Sequence, residues 1–162
     1  MIKLLNILIK FLSLGKFYYK NKNEKKEILI FDPAVASVLS DFFEDDKYFF
    51  FYSRKEKFEI IVFFLTIIKG GFKNFSKRYF FNFLTRFKPK YILSMWILND
   101  YISQVKKAFP KIKILMIQSH RLVDLNFAKN YPPNCFDYLF VFSDYEKKKF
   151  KEVFYKSQIK VI

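Results

Sequence analysis

The sequence predicts an α/β protein in which helices cover both faces of a Rossmann-like parallel sheet. From residue 27 onward, short apolar runs rich in Ile, Val, Phe and Tyr alternate with stretches of helical periodicity, a pattern typical of βαβ units. The chain has 162 residues, 52% hydrophobic and 22% aromatic, which is enough for the packed core of one domain. We therefore predict a single domain over residues 27–162, preceded by a separate segment over residues 1–26.

The N-terminal segment is predicted to begin with an amphipathic helix over residues 1–14. Its polar side chains are Lys3, Asn6, Lys10 and Ser13. Their spacing of three and four places them on one narrow stripe of a helix. Fourteen helical residues are about 21 Å long, shorter than the roughly 30 Å hydrocarbon core of a bilayer. We expect this helix to lie on a membrane surface or to pack on the domain, and a Lys/Asn-rich linker to follow over residues 20–26.

The elements of the domain can be placed by their periodicity and by their start and stop signals. Strands are predicted near residues 28–31, 48–52, 91–95, 112–117, 138–142 and 159–162. Helices are predicted near residues 34–43, 57–68, 73–87, 100–109 and 144–155. Ser143 or Asp144 can cap the last helix, and Pro89 and Pro110 each end a helix before a strand. The central strands are apolar on both sides, as expected for parallel strands buried on both faces.

One predicted helix combines an aromatic face with a basic one. The chain has no acidic residue from Ile60 to Asn99, while lysines and arginines are frequent there. The apolar side chains at helical spacing are Phe72, Phe75, Tyr79, Phe80, Phe83, Leu84 and Phe87. This pattern is typical of a helix that lies on an anionic membrane. The alternative is that the aromatic face packs on the sheet and the lysines are solvated.

The net charge of the chain, and its content of lysine rather than arginine, indicate which classes of partner it can bind. The net charge of +15 favours anionic partners such as acidic lipid headgroups or phosphorylated substrates. Almost all of this charge is lysine, whereas reading of bases favours arginine, so no specific nucleic acid is expected. The alternative is that part of the lysine excess reflects the codons of an AT-rich genome rather than binding of an anionic partner. Cys135 is the only cysteine, which excludes an intramolecular disulfide and fits a cytoplasmic setting.

Several enzyme classes lack their motifs in this chain. It contains no GxxxxGK[ST] phosphate loop, and no GxGxxG follows the first predicted strand, which disfavours P-loop NTPases and standard dinucleotide enzymes. A single histidine rules out a paired-histidine metal site. The acidic cluster Glu44-Asp45-Asp46 is interpreted as a solvated turn. We therefore expect no cofactor and no metal.

Polar residues follow the predicted strands at their carboxyl ends, where open α/β sheets bind ligands. They are Asp32, Ser53, Asn99, Asp100, Gln118, Ser119, His120, Arg121 and Ser143. All of them except Ser53 and His120 are predicted to bind the substrate. His120 is the candidate catalytic residue, a general base toward an acceptor hydroxyl, and Arg121 can bind a phosphate or carboxylate. The alternative for His120 is a structural role. We expect Gln118, His120 and Arg121 to line a solvent-accessible crevice near Ser143 and the 99–100 turn.

The residues around this candidate site also carry a family resemblance. Residues 109–121 read FPKIKILMIQSHR, residues 136–143 read FDYLFVFS and residues 155–162 read YKSQIKVI. They resemble the N-terminal domain of bacterial surface-polysaccharide biosynthesis proteins, which are similar to GT-B glycosyltransferases and carry "fPkikfisIQNGxR" and "Dyffvfg" in order. Gln118 and Arg121 match this pattern, whereas Ser119-His120 replaces its Asn-Gly pair and Ser143 replaces a glycine. The resemblance covers about residues 27–162.

The resemblance implies the acceptor-binding N-terminal half of a GT-B architecture, with the C-terminal nucleotide-sugar domain absent from this chain or supplied by a separate one. The partners it implies are a nucleotide sugar and a lipid-linked or saccharide acceptor. Together with the basic and aromatic surface, it suggests a cytoplasmic protein peripheral to the inner membrane face. The alternative function is a non-catalytic Rossmann-like module that binds a membrane surface or a partner chain.

Overall fold

A computed structural model of the chain describes residues 16–22, 26–31, 44, 47–52, 57–95, 100–118 and 133–162. Its strands are β1 (Lys16–Tyr18), β2 (Ile28–Ile30), β3 (Tyr48–Phe50), β4 (Lys57–Glu59), β5 (Tyr91–Ser94), β6 (Lys113–Ile117), β7 (Tyr138–Val141) and β8 (Gln158–Val161). Its helices are α1 (Ile60–Gly70), α2 (Phe75–Phe87), α3 (Asp100–Ala108) and α4 (Asp144–Val153). The predicted helices over 1–14 and 34–43 lie outside the described residues.

These residues form two compact units. The sheet unit contains the described residues of Lys25–Phe51 and Lys88–Ile162. The helical unit contains residues 16–22 and the described residues of Tyr52–Phe87. The predicted domain boundary at residues 26 and 27 stays a prediction.

The sheet unit is built on a six-stranded sheet of order β3-β2-β5-β6-β7-β8, in which every neighbouring pair is parallel. Its strands coincide within two residues with the six that the sequence predicts. The predicted α/β class with a parallel Rossmann-like sheet is confirmed.

A row of buried aliphatic side chains fixes the register of this sheet. Leu29 pairs with Ile92, and Ile92 pairs with Ile114 on the next strand. All three side chains are fully buried, as are Met116 and Leu139, which pair between β6 and β7. Full burial of one such side chain contributes about 1.5–3 kcal/mol. A slip of one residue turns each of them to the opposite face, so the strand ends are held at fixed positions.

The helical unit starts from a parallel pair of three-residue strands, β1 and β4, with Phe17 opposite Phe58. Neither strand was predicted, and residues 57–59 were expected to open a helix. The helix begins three residues later because Glu59 is extended (φ −72°, ψ 120°) and its carboxylate accepts the Val62 N–H at 2.7 Å. Glu59 is thus the N-cap of α1, which ends at Gly70 before a turn in which Gly71 has φ +60°.

The predicted membrane contact through the aromatic face of α2 is wrong. Phe75, Phe80 and Phe83 are buried in the helical unit. The Phe75 ring makes edge contacts with Phe58 of β4 and Phe63 of α1, with centroids 6.1 and 5.4 Å apart. Periodicity identified the apolar face correctly, but α1 and β4 cover it. Within the described residues, no helix combines the length and apolar character needed to cross a bilayer.

Candidate functional site at the carboxyl edge of the sheet

The strand order locates the edge at which a ligand is expected. In this sheet β3 lies on one side of β2, and β5 to β8 lie on the other side in sequence order. The order of the strands therefore reverses between β2 and β5. Ligands of doubly wound sheets bind outside the carboxyl ends of the strands at such a reversal. Ser94 ends β5, one of the two strands at this reversal, and its side chain is fully buried. It was not predicted, although a hydroxyl closing the apolar run Ile92–Leu93 was a usable signal.

Gln118 follows β6 directly and is anchored by both its backbone and its side chain. Its N–H donates to the Phe140 carbonyl at 2.9 Å, which continues the pairing of β6 with β7. Its Nε2 donates to Glu146 Oε1 at 2.7 Å. The side chain is only 1% exposed, so the expectation that Gln118 lines a solvent-accessible crevice is wrong. The amide is drawn inward because a buried carboxylate on α4 accepts from it.

Glu146 joins Gln118 to the start of α4. Ser143 is the N-cap of that helix, and its Oγ accepts the Glu146 N–H at 3.3 Å. The same hydroxyl donates to Glu146 Oε2 at 3.1 Å. Each carboxylate oxygen of Glu146 therefore accepts a hydrogen bond, from Gln118 on one side and from Ser143 on the other. A carboxylate in the first turn is further stabilised by the helix dipole.

The hydrogen bonds among Gln118, Glu146 and Ser143 hold these side chains in position, and we assign them no role in proton transfer. A carboxylate only accepts, so the Gln118 amide must turn its nitrogen toward Glu146. The side chain that ends β6 is thereby held in one orientation, at the point from which the chain continues to Ser119. Glu146 was missed because its helix is largely charged. Ser143 and Glu146 have the spacing of a capping box, and this pattern could have identified Glu146 from the sequence.

The remaining predicted site residues divide into two groups. Asp32, Asn99, Ser119, His120 and Arg121 lie outside the described residues. Asp100 is the first residue of α3, the helix that follows β5, and of it only the backbone is described. The structure thus brings Gln118 and Ser143 together through Glu146, and the proximity of the others to this pair stays a prediction.

A second polar cluster lies at the opposite, amino edge of the sheet. The Asp137 carboxylate accepts the Ile114 N–H at 2.9 Å and the Nζ atoms of Lys106 and Lys113 at 2.9 and 3.1 Å. Burial alone raises the pKa of Asp137, but these hydrogen bonds and the positive charge of Lys106 outweigh burial, and the pKa lies below its usual range. The cluster ties α3 to β6 and β7, so we assign it a structural role.

Cys135 and Glu44 are described outside these two clusters, and we assign neither a role in chemistry. The Cys135 side chain is 1% exposed, and burial raises the pKa of its thiol to about 12, so the reactive thiolate is scarce at neutral pH. Glu44, the described member of the acidic cluster, lies within 3.8 Å of Lys47 at the surface. In the part of the chain that the structure describes, no group of three His, Cys, Asp or Glu side chains can hold a metal ion.

Comparison of the chain with protein-family models, with curated proteins and with solved structures finds no match in any of the three. The functional assignment therefore depends on the sheet edge and on the motif residues.

Proposed function

We propose that this chain is the acceptor-binding half of a glycosyltransferase-like protein of surface-polysaccharide biosynthesis, cytoplasmic and peripheral to the inner membrane face. The observation that carries the proposal is the end of β6. Gln118, which matches the family motif, is locked to Glu146 and the N-terminus of α4 at the carboxyl edge of a parallel sheet. The motif residues 119–121 come next in the sequence, and the proposal assigns them to the edge at which such sheets bind ligands.

In this proposal His120, Arg121 and the pair Gln118 and Ser143 have different roles. Arg121 binds a phosphate of the acceptor through paired charge-assisted hydrogen bonds. His120 is the general base that removes the proton from the acceptor hydroxyl during glycosyl transfer. Gln118 and Ser143 are positioning residues, since their side chains are occupied by Glu146. The nucleotide sugar is bound by a second domain that acts together with this one.

Binding of an acceptor analogue tests the proposal directly. The probe is N-acetylglucosamine linked through diphosphate to a short isoprenyl chain, titrated into the full chain by calorimetry. We expect Arg121→Ala to weaken binding about tenfold or more, as for loss of a charge-assisted hydrogen bond, and His120→Ala to leave binding within a few-fold. Lys111→Ala, an exposed cation at the amino edge, is the matched control and should change nothing.

The alternative function predicts a different result. A non-catalytic module that binds membranes or a partner chain shows no saturable binding of the saccharide diphosphate, and its Arg121→Ala variant behaves like the parent chain. That outcome refutes the acceptor-binding proposal. A His120→Ala variant that keeps full turnover when the nucleotide-sugar domain is supplied refutes the catalytic role of His120 alone.

A further inference from the structure

Helix α1 carries an apolar surface that the fold leaves uncovered. Its buried side chains are Val62, Phe63 and Thr66. The Phe63 ring contacts Phe58 of β4 and Phe75 of α2, and the Thr66 hydroxyl accepts from Asn82 of α2. The opposite side is apolar as well. The exposed large apolar residues of α1 are Ile60, Phe64, Leu65 and Ile68. Ile68, with 79% of its surface exposed, is the most exposed of them.

These side chains form one continuous stripe. Ile60, Phe64 and Ile68 are spaced by four residues and therefore lie above one another on a helix. Leu65 lies beside them. A helix that is apolar on all sides is normally buried in a protein interior or in lipid, and a contiguous exposed apolar patch marks an interaction surface. The 11 residues of α1 extend about 16 Å, so this helix can lie on a bilayer but not cross it.

The charge around the stripe indicates what covers it. The basic residues described in the helical unit are Lys16, Lys20, Lys22, Lys57, Lys69, Lys73, Lys77, Arg78 and Arg86. Among the described residues of that unit, the acidic side chain is Glu59, which is fully buried and lies 3.7 Å from Arg86. Lys69, at the end of α1, and Lys73, in the turn after it, are exposed. The surface is therefore apolar in its centre, cationic at its C-terminal end and free of exposed carboxylates in the described part of the unit.

We propose that α1 is the membrane-contact element of this protein. Ile60, Phe64 and Ile68 enter the interfacial region of an anionic bilayer, and Lys69 and Lys73 bind lipid phosphates, as in helices that lie in the plane of a membrane. The proposal deepens the membrane association proposed above and does not depend on the transferase activity. It replaces the aromatic face of α2, which is buried, with a surface that is accessible.

Vesicle sedimentation with the full chain tests this surface. The vesicles contain 30% phosphatidylglycerol in phosphatidylcholine, with pure phosphatidylcholine for comparison, at low and at high salt. We expect Phe64→Ser/Ile68→Ser to weaken binding at least about tenfold. We expect Lys69→Gln/Lys73→Gln to weaken it about 25-fold at low salt, about fivefold per lysine, and to reduce its salt dependence.

Matched controls lie on the surface of the sheet unit. Tyr145 and Tyr155 are 69% and 67% exposed, and Lys148 and Lys149 are exposed on α4. Tyr145→Ser/Tyr155→Ser and Lys148→Gln/Lys149→Gln should bind the anionic vesicles within about twofold of the parent chain. The replaced side chains of α1 are also exposed, so circular dichroism should show an unchanged melting transition in every variant.

Each contrary outcome identifies its own error. Parent-like vesicle binding by Phe64→Ser/Ile68→Ser refutes α1 as the contact while leaving membrane association intact. No binding of the parent chain to anionic vesicles refutes both. Equal binding to neutral vesicles refutes the role of the lysines. If the parent chain forms a dimer that Phe64→Ser/Ile68→Ser abolishes, and does not bind vesicles, a second copy of the chain covers the stripe instead.

Discussion

At the scale of single residues, Glu146 connects the end of β6 with the start of α4. Its two carboxylate oxygens accept hydrogen bonds from the Gln118 amide and the Ser143 hydroxyl. Glu146 itself is only 6% exposed. A buried polar group left without its partner costs more than the hydrogen bond itself contributes. The network therefore depends on all three residues together.

Glu146→Ala is expected to lower the free energy of unfolding by about 1–3 kcal/mol, because the buried Gln118 amide loses its acceptor. Glu146→Gln retains an acceptor for Gln118 and should lose less than half as much. Urea unfolding at neutral pH measures both. Glu152→Ala, at an exposed position of the same helix, controls for the change in charge and helix propensity, and an equal loss in this variant would contradict the network.

The lowered pKa of Asp137 predicts how the stability of the chain depends on pH. Its pKa is lowered in the folded chain, so the stability it contributes is complete above its unfolded pKa of about 3.9 and is lost as the pH falls through the lower, folded value. The difference in unfolding free energy between the parent chain and Asp137→Asn should therefore shrink between pH 5 and pH 2. Urea titrations across this range measure it. A difference that is constant with pH would show that the carboxylate charge contributes nothing.

The sequence predicted which edge of the sheet carries the candidate site, but it did not predict the contacts among the side chains there. Gln118 was identified because it ends an apolar strand, and the structure places it at that edge. Its burial was not predicted, since the side chain that receives it lies 28 positions away on α4. Hydrogen bonds between such distant residues depend on tertiary packing, which a local pattern does not encode.

At the scale of elements, α1 depends on a buried cap. Glu59 is fully buried, its Oε2 accepts the Val62 N–H, and its backbone N–H donates to the Tyr79 hydroxyl at 2.6 Å. Arg86 of α2 supplies the opposite charge at 3.7 Å. Burial raises the pKa of both Tyr18 and Tyr79, and the Glu59 carboxylate raises it further, so both phenols stay protonated. The cap thus joins β4, α1 and α2.

Glu59→Ala is expected to destabilise the helical unit by about 2–4 kcal/mol, because the helix loses its cap and Arg86 loses its partner. Glu59→Gln keeps an oxygen for the Val62 N–H and should retain part of this energy. Hydrogen exchange followed by mass spectrometry resolves the two units. Faster exchange is expected in α1 and α2 with little change in the sheet unit, whereas uniform acceleration across both units would contradict a local role.

The elements themselves were predicted to different degrees. Six strands could be predicted because each is a short apolar run bounded by a turn or helix signal. Strands β1 and β4, with the sequences KFY and KFE, could not, since charged residues interrupt the apolar run that marks the other strands. The apolar face of α2 was identified by its spacing, but the spacing of residues along one helix says nothing about which other element covers it.

At the scale of the whole molecule, the parallel order of the sheet gives its two edges different roles. The amino edge carries the Asp137 cluster, in which all partners are satisfied by the fold. The carboxyl edge carries Gln118, Ser143 and the start of α3. Open α/β sheets bind their ligands outside the carboxyl ends of the strands, and we propose that the acceptor binds at this carboxyl edge.

Photo-crosslinking tests that claim most directly. The saccharide diphosphate probe carries a diazirine on its isoprenyl chain, is irradiated with the full chain, and the labelled peptides are read by mass spectrometry. We predict labelling of peptides that contain residues 118–121 and 143–146, suppressed by excess unlabelled probe and weakened in Arg121→Ala. Labelling confined to the amino edge around Lys113 and Asp137, or unaffected by competing probe, would contradict the account.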